Sequence, residues 1–268
     1  MEDSVMTPSI DADRGSIGIR AARHLDIAFR SFTVGHGAEL GSGYLRWLTG
    51  EAHPLGNLAI VCAPGDEAAA REACSPLKAA NVPCAVAFPE GLATAAVQAV
   101  HSLGFSEDAT MPAMAVNIER LAPTALPPGY AFVRAGVGDT GARWADGMAV
   151  GYELPHALAR RFSPEVIGAD PAADARTQFF SVVRDGRTVA TSMFHLADGL
   201  AGIYCVSTRP EERGKGIGAH VTAEALRVAA SLGYRVGVLQ SSPAGHSIYI
   251  GLGFEDVGTV PMFVRMPS

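Results

Sequence analysis

The sequence predicts an α/β (α+β) protein in which one strand-and-helix unit occurs twice. Three observations carry this expectation. Leu103–Pro112 and Leu252–Pro261 share Leu, Gly, Phe, Thr and Pro in register at one offset of 149 residues, each placed just after a helical segment. Apolar, β-branched runs of strand length alternate with segments of helical period. One strand-to-helix corner, Arg213-Gly214-Lys215-Gly216-Ile217-Gly218, holds three glycines in six residues.

Bulk composition is compatible with this reading. A chain of 268 residues, 48% hydrophobic and 18% charged, is globular and long enough for one large domain or two small ones. Apolar runs fall short of a membrane span, and residues 1–16 lack the basic start and apolar centre of a signal peptide. No membrane association and a cytoplasmic location are therefore expected. A net charge of −6 argues against a nucleic-acid surface. Cys62, Cys74, Cys84 and Cys205 lack metal-site spacing, so buried reduced thiols and no metal are expected.

Along the chain, residues 1–16 read as a disordered tail and Ile17 to Phe32 as a helix with Ile17, Ala21, Leu25 and Ala28 on one face. The first copy, 17–120, continues with a buried strand (58–62), a helix (67–80), a strand (84–88) and a helix (92–103). Residues 121–129, rich in proline and without period, read as a linker. The second copy, 130–268, begins with a strand (130–137), a helix capped by Asp139 (139–151) and a helix (156–167). Strands at 178–184 and 188–195 flank an Asp185-Gly186 hairpin turn. A strand (203–208) leads into the glycine corner, followed by a helix with Ile217, Val221, Ala225, Val228 and Leu232 in period, a strand (236–239) and a short helix.

Glycines at such a corner let a ligand approach the backbone with no Cβ in the way, and the first helical turn leaves N–H groups unpaired. The corner is an anion cradle for a phosphate or pyrophosphate, with the helix dipole, Arg213 and Lys215 adding positive charge. A dinucleotide fingerprint needs different glycine spacing, and a P-loop needs Ser or Thr after its lysine, where Gly216 stands. The first copy has Ala63-Pro64-Gly65-Asp66-Glu67 at its corner: two carboxylates repel phosphate and Pro64 removes a donor. Val100 stands where the second copy has Tyr249, so the first copy is expected to bind no cofactor.

The order strand, Arg-x-x-Gly-x-Gly, helix, strand, short helix with Tyr249-x-x-Leu252-Gly253-Phe254 resembles the GNAT acyltransferase superfamily. The resemblance implies two GNAT-like domains, the first degenerate, each a mixed, mostly antiparallel twisted sheet flanked by helices. It further implies acetyl-CoA as cosubstrate, with its pyrophosphate on Arg213, Gly214, Lys215, Gly216, Ile217 and Gly218. The thioester would lie beside Val206, Ser207 and Thr208, where the fourth strand of the second copy splays from the fifth and a free amide can stabilise an oxyanion. Ser242 falls where relatives carry an asparagine for the pantetheine arm, and Ser247 completes the cofactor set. Tyr249 matches the tyrosine that commonly protonates the departing thiolate; packing against the sheet is the alternative.

The general base is not legible, because residues 200–208 contain no Asp, Glu or His and Tyr204 stands where a glutamate is common in relatives. Glu153 and His195 are candidates. Each has a competing reading, as a solvated loop residue and as a satisfied sheet-edge histidine. Gln240 and Ser241 face the same cleft or form a turn, His246 reads as an exposed helix residue, and Trp144 and Tyr152 line an acceptor pocket or, for Trp144, the core. The resulting expectation is direct acetyl transfer to a small-molecule or peptide amine in a ternary complex, with a homodimer left open. A non-catalytic acyl-CoA-binding module and an interaction scaffold are the rivals.

Overall fold

The structure is a computed structural model that describes residues 10, 13–63, 66–168 and 176–268. Its strands are β1 (Ala38–Gly41), β2 (Tyr44–Leu48), β3 (Asn57–Val61), β4 (Cys84–Ala87), β5 (Ser106–Asn117), β6 (Tyr130–Ala135), β7 (Thr177–Arg184), β8 (Arg187–Ala197), β9 (Leu200–Thr208), β10 (Val236–Gln240) and β11 (Glu255–Arg265). The helices are α1 (Arg14–Thr33), α2 (Glu67–Ala80), α3 (Thr94–Ser102), α4 (Asp139–Tyr152), α5 (His156–Arg161), α6 (Ile217–Ser231) and α7 (His246–Leu252). All the strands join one mixed, mostly antiparallel sheet in the order β1-β2-β3-β4-β11-β5-β10-β9-β8-β7-β6. Among the described residues no helix is long and apolar enough to cross a membrane.

That order contains an exchange. β4, α3 and β5 of the first copy correspond to β10, α7 and β11 of the second, yet β5 pairs with β10 while β11 pairs with β4. The two exchanged strands then pair with each other, antiparallel, across the middle of the sheet. Their register obeys a local two-fold through Met111 and Val260, which face each other. Thr110 pairs with Pro261 and, in mirror, Pro112 with Thr259; Ala109 pairs with Met262 and Ala113 with Gly258. The register shifts fall at Asp108 and at Val257, which stand 149 residues apart. The bond from Ser241 N to the Pro112 carbonyl (2.9 Å) has its counterpart in Phe88 N to Pro261 (3.0 Å).

The repeated Leu-Gly-Phe is a helix stop. Gly104 and Gly253 take the left-handed conformation (φ +86° and +95°) that closes α3 and α7. Phe105 N then bonds back to Val100 O and Phe254 N to Tyr249 O, as in a Schellman motif, and both rings are buried.

One face of the sheet carries α1, α4 and α5 over a core shared by both copies, and Phe162 after α5 meets Trp47 of β2 (ring centroids 5.4 Å). The opposite face has two separate cores, α6 and α7 over the second-copy strands and α2 and α3 over the first. Alternation along β5 shows both: Ala113 and Ala115 face α1, Met114 and Val116 face α6. Gly18 lets α1 lie directly on the β11 bulge, because a methyl there would collide with the Val257 carbonyl.

Several expectations are corrected. The disordered tail over 1–16 is cut short, since Arg14 to Ser16 form the first turn of α1, capped by the Asp13 carboxylate accepting from Ser16 N at 3.0 Å; residues 1–9, 11 and 12 lie outside the described residues. Asp139 is the first residue of α4 and Gly138 (φ +97°) its cap. The helix expected over 156–167 stops at Arg161. Of the thiols, Cys74 and Cys84 are buried, whereas Cys62 and Cys205 are only half-buried; all are free.

Candidate functional site

β9 and β10 run parallel but pair only at Ala201–Gly237 and Gly202–Val238. β9 continues to Thr208, so its edge from Ile203 onward lacks a strand on the β10 side. The register with β8 slips between Ser207 and Tyr204, and Cys205 in that bulge has left-handed backbone (φ +52°). The first copy differs at the corresponding place: by the two-fold, Val238 matches Ala85, but β3 and β4 stay paired through Val86 and Ala87. Among the described residues, only the second copy parts its strands there.

At the end of β9 the chain makes a short turn, Pro210–Glu212, and enters the glycine corner. Gly214 and Gly216 are left-handed (φ +76° and +75°), and Gly216 caps α6. Among the described residues, the backbone N–H groups from Gly214 to Ala219 have no protein acceptor; the next, His220 N, bonds to Gly216 O. Gly218 sits against Thr208, whose hydroxyl would lie 3.3 Å from a methyl at that position. The first copy fills its own equivalent: the Asp66 carboxylate accepts from Ala69 N (3.0 Å) at the start of α2, with Glu67 in the first turn. Pro64 and Gly65 lie outside the described residues.

Both cations assigned to the anion from sequence are engaged by the protein. Arg213 donates to the Gly151 carbonyl at the end of α4 (2.9 Å) and to Thr208 O (3.2 Å). Lys215 pairs with Glu212 (2.7 Å), whose carboxylate also accepts from the Tyr130 hydroxyl (2.6 Å). These two bonds hold the Glu212 carboxyl below its usual range. Arg209, buried, anchors the turn through Thr188 O (2.7 Å) and Asp146. The Ser207 hydroxyl turns inward to Thr191 (2.8 Å), leaving only its backbone for the cleft, and Val206 packs on the α6 core.

Ser242 heads the turn that leads into α7: its hydroxyl accepts from Gly245 N (3.3 Å) and its carbonyl from His246 N (3.1 Å). Ser242 and Ser247 are exposed, Ser241 is buried, and His246 bonds to Asp256 (3.0 Å). Tyr249 is half-buried with its ring against Phe254 (5.7 Å). Burial pushes its phenol up to about 12. Tyr152, at the last turn of α4, is 43% exposed as a residue, yet desolvation of its phenol, and then Cys205 and Tyr249, raise it well above its usual range.

The two base candidates separate. Glu153 is exposed in the left-handed cap of α4 (φ +58°). His195 is 2% exposed, bonded to Thr177 (2.8 Å), and burial, aided by Arg176, lowers it to about 4. A residue the sequence reading missed lies nearby. His24 of α1 packs on Gly202, where a methyl would overlap its ring, and Tyr204 Oη lies 2.7 Å from its Nδ1 and donates to its carbonyl at 3.0 Å. With that proton spent on the carbonyl, Nδ1 donates to the phenol, and the buried Nε2 has no hydrogen-bond partner among the described residues. Burial lowers His24 to about 3. Its only signal in sequence is its place in the buried stripe Ile17, Ala21, His24, Ala28. Gln240 also reaches α1, donating to Ala21 O (2.6 Å). No three metal-ligating side chains converge among the described residues.

Residues 149–254 match the family model described as "Acetyltransferase (GNAT) family". No curated protein matches the chain. Among solved structures, a GCN5-related N-acetyltransferase from Kribbella flavida is 21% identical with TM-score 0.66, covering 91% of this chain and 95% of its own. One from Sphaerobacter thermophilus is 15% identical with TM-score 0.62, over 97% and 94%. A tandem GNAT protein from the clavulanic acid biosynthesis pathway is 16% identical with TM-score 0.50, over 79% and 75%. At these identities the likeness is one of fold.

Proposed function

We propose, from the match of residues 149–254 to the acetyltransferase (GNAT) family model, that the chain transfers acetyl from acetyl-CoA directly to an amine in a ternary complex. The observation that carries this is the open edge of β9 beside a run of unpaired N–H groups at the start of α6. Such a run fits a pyrophosphate, because several donors and the positive helix end converge on one anion. Gly214 to Gly218 would hold it, and the β9 edge at Val206 to Thr208 would receive the acyl arm.

When bound, acetyl-CoA supplies an activated acyl group. The chain's part is to position it and handle charge and protons. A backbone N–H on the β9 edge donates to the carbonyl oxygen as that oxygen gains charge. The Tyr249 phenol, fully protonated at neutral pH, hands its proton to the sulfur leaving group. Glu153 and His195 remain the sequence candidates for the proton of the amine; Glu153 is solvent-accessible and His195 enclosed.

One observation favours a second reading, a non-catalytic acyl-CoA-binding module: Tyr204, where a carboxylate base would serve, is tied to His24. A thiol-release assay with acetyl-CoA over a panel of amines, amino acids and peptides decides. Release with any acceptor supports the enzyme; silence across the panel together with a CoA-induced rise in melting temperature supports the binding module.

A further inference from the structure

We infer that the first copy is a built-in half of the acyl-CoA cleft of the second, and that the two copies form one interlocked unit. This rests on the acyl-CoA reading of that cleft. Three placements argue it. β5, encoded in the first copy, is the strand that pairs with β10 from Val236 to Gln240 and so backs the strand that forms one side of the cleft. Ser241, the first residue beyond β10, bonds to Pro112 of the same strand (2.9 Å).

α1 covers the face of the sheet at the point where the two strands part. Gln240 donates to Ala21 O, and His24 covers Gly202 and holds Tyr204, the residues at which β9 and β10 part. Gly202 has no Cβ, which is the condition for His24 to lie on the strand at all.

β11 in turn leaves the second copy and lies between β4 and β5. Neither copy can be lifted away without stripping a strand from the other, because an exchanged strand carries its ladder hydrogen bonds across the boundary. Under this arrangement what the first copy contributes is β5 and α1.

The test is to insert a protease site between Pro128 and Gly129, both exposed in the segment joining the copies, and to cut the folded chain. In native buffer the cut protein should elute as one species at the position of the uncut chain and show the same rise in melting temperature with CoA. After separation in urea and removal of the denaturant, fragment 129–268 alone should lose that rise, and remixing with 1–128 should restore it. Two species in native buffer, or a lone 129–268 fragment with the full CoA response, would overturn the inference. If the uncut chain shows no CoA response, the acyl-CoA reading is at fault; co-elution of the cut halves still reads the interlock.

Discussion

Replacing Gly216 with alanine isolates the backbone geometry of the cradle from sterics. Nothing lies within 4 Å of a methyl at this position, so the substitution brings no clash. What it does bring is a Cβ at φ +75°, where an L-residue costs about 1–2 kcal/mol. If the neighbours hold the loop in place, that cost appears as lost stability. If the loop relaxes, it appears on binding, as a CoA affinity weaker by a factor of about 5–30. Urea unfolding and the CoA-dependent melting temperature, measured together, should account for the whole amount between them. Gly251 is the internal control: it too has open space around it, but it lies within α7 at ordinary helical φ. Gly251→Ala should therefore stabilise by about 0.5–1 kcal/mol. Gly216→Ala leaving both stability and CoA affinity unchanged would refute the assignment of a conformationally demanding cradle.

Tyr249→Phe should keep the CoA-induced melting shift while lowering turnover about 100-fold or more; undiminished turnover would remove Tyr249 from proton transfer. Gly202→Ala should destabilise by about 1–3 kcal/mol, since the methyl overlaps the His24 ring, and His24→Ala in the same chain should recover part of it in a double-mutant cycle. His24 and His195 are depressed to about 3 and about 4 in the folded state from 6.5, so the unfolded chain binds their protons first as pH falls. Their contribution is fully present above about pH 6.5 and is lost towards pH 4, by at most about 1.4 kcal/mol per pH unit for each histidine. Melting temperatures between pH 7 and 4.5 should fall less steeply for His195→Asn; identical slopes would show that the His195 ring is not held neutral inside the fold.

Much of the local structure was legible because its causes are local. The α2 boundaries follow from an Asp66 cap and a helical period, and the Asp185-Gly186 turn from two residues that tolerate positive φ, observed at +49° and +74°. β1 and β2 were not read although they form a local hairpin with each other: β1 is four residues with no buried position, and β2 is buried on both faces, so neither shows a strand alternation. The role of Arg213 was read as charge for a ligand because its type and spacing suit phosphate. The Gly151 carbonyl that it holds is 62 residues away and leaves no mark in the motif.

By itself the sequence determined the repeat, the glycine cradle and its absence from the first copy, because helix stops, left-handed glycines and carboxylate caps act over a few residues. Only the tertiary structure decided which strand lies beside which. The same Leu-Gly-Phe-to-Pro segment could return to its own copy or cross to the other with identical local chemistry. Its pairing depends on partners more than a hundred residues distant. The cleft is completed by that crossing, and by a histidine from the first helix laid on a glycine of the ninth strand.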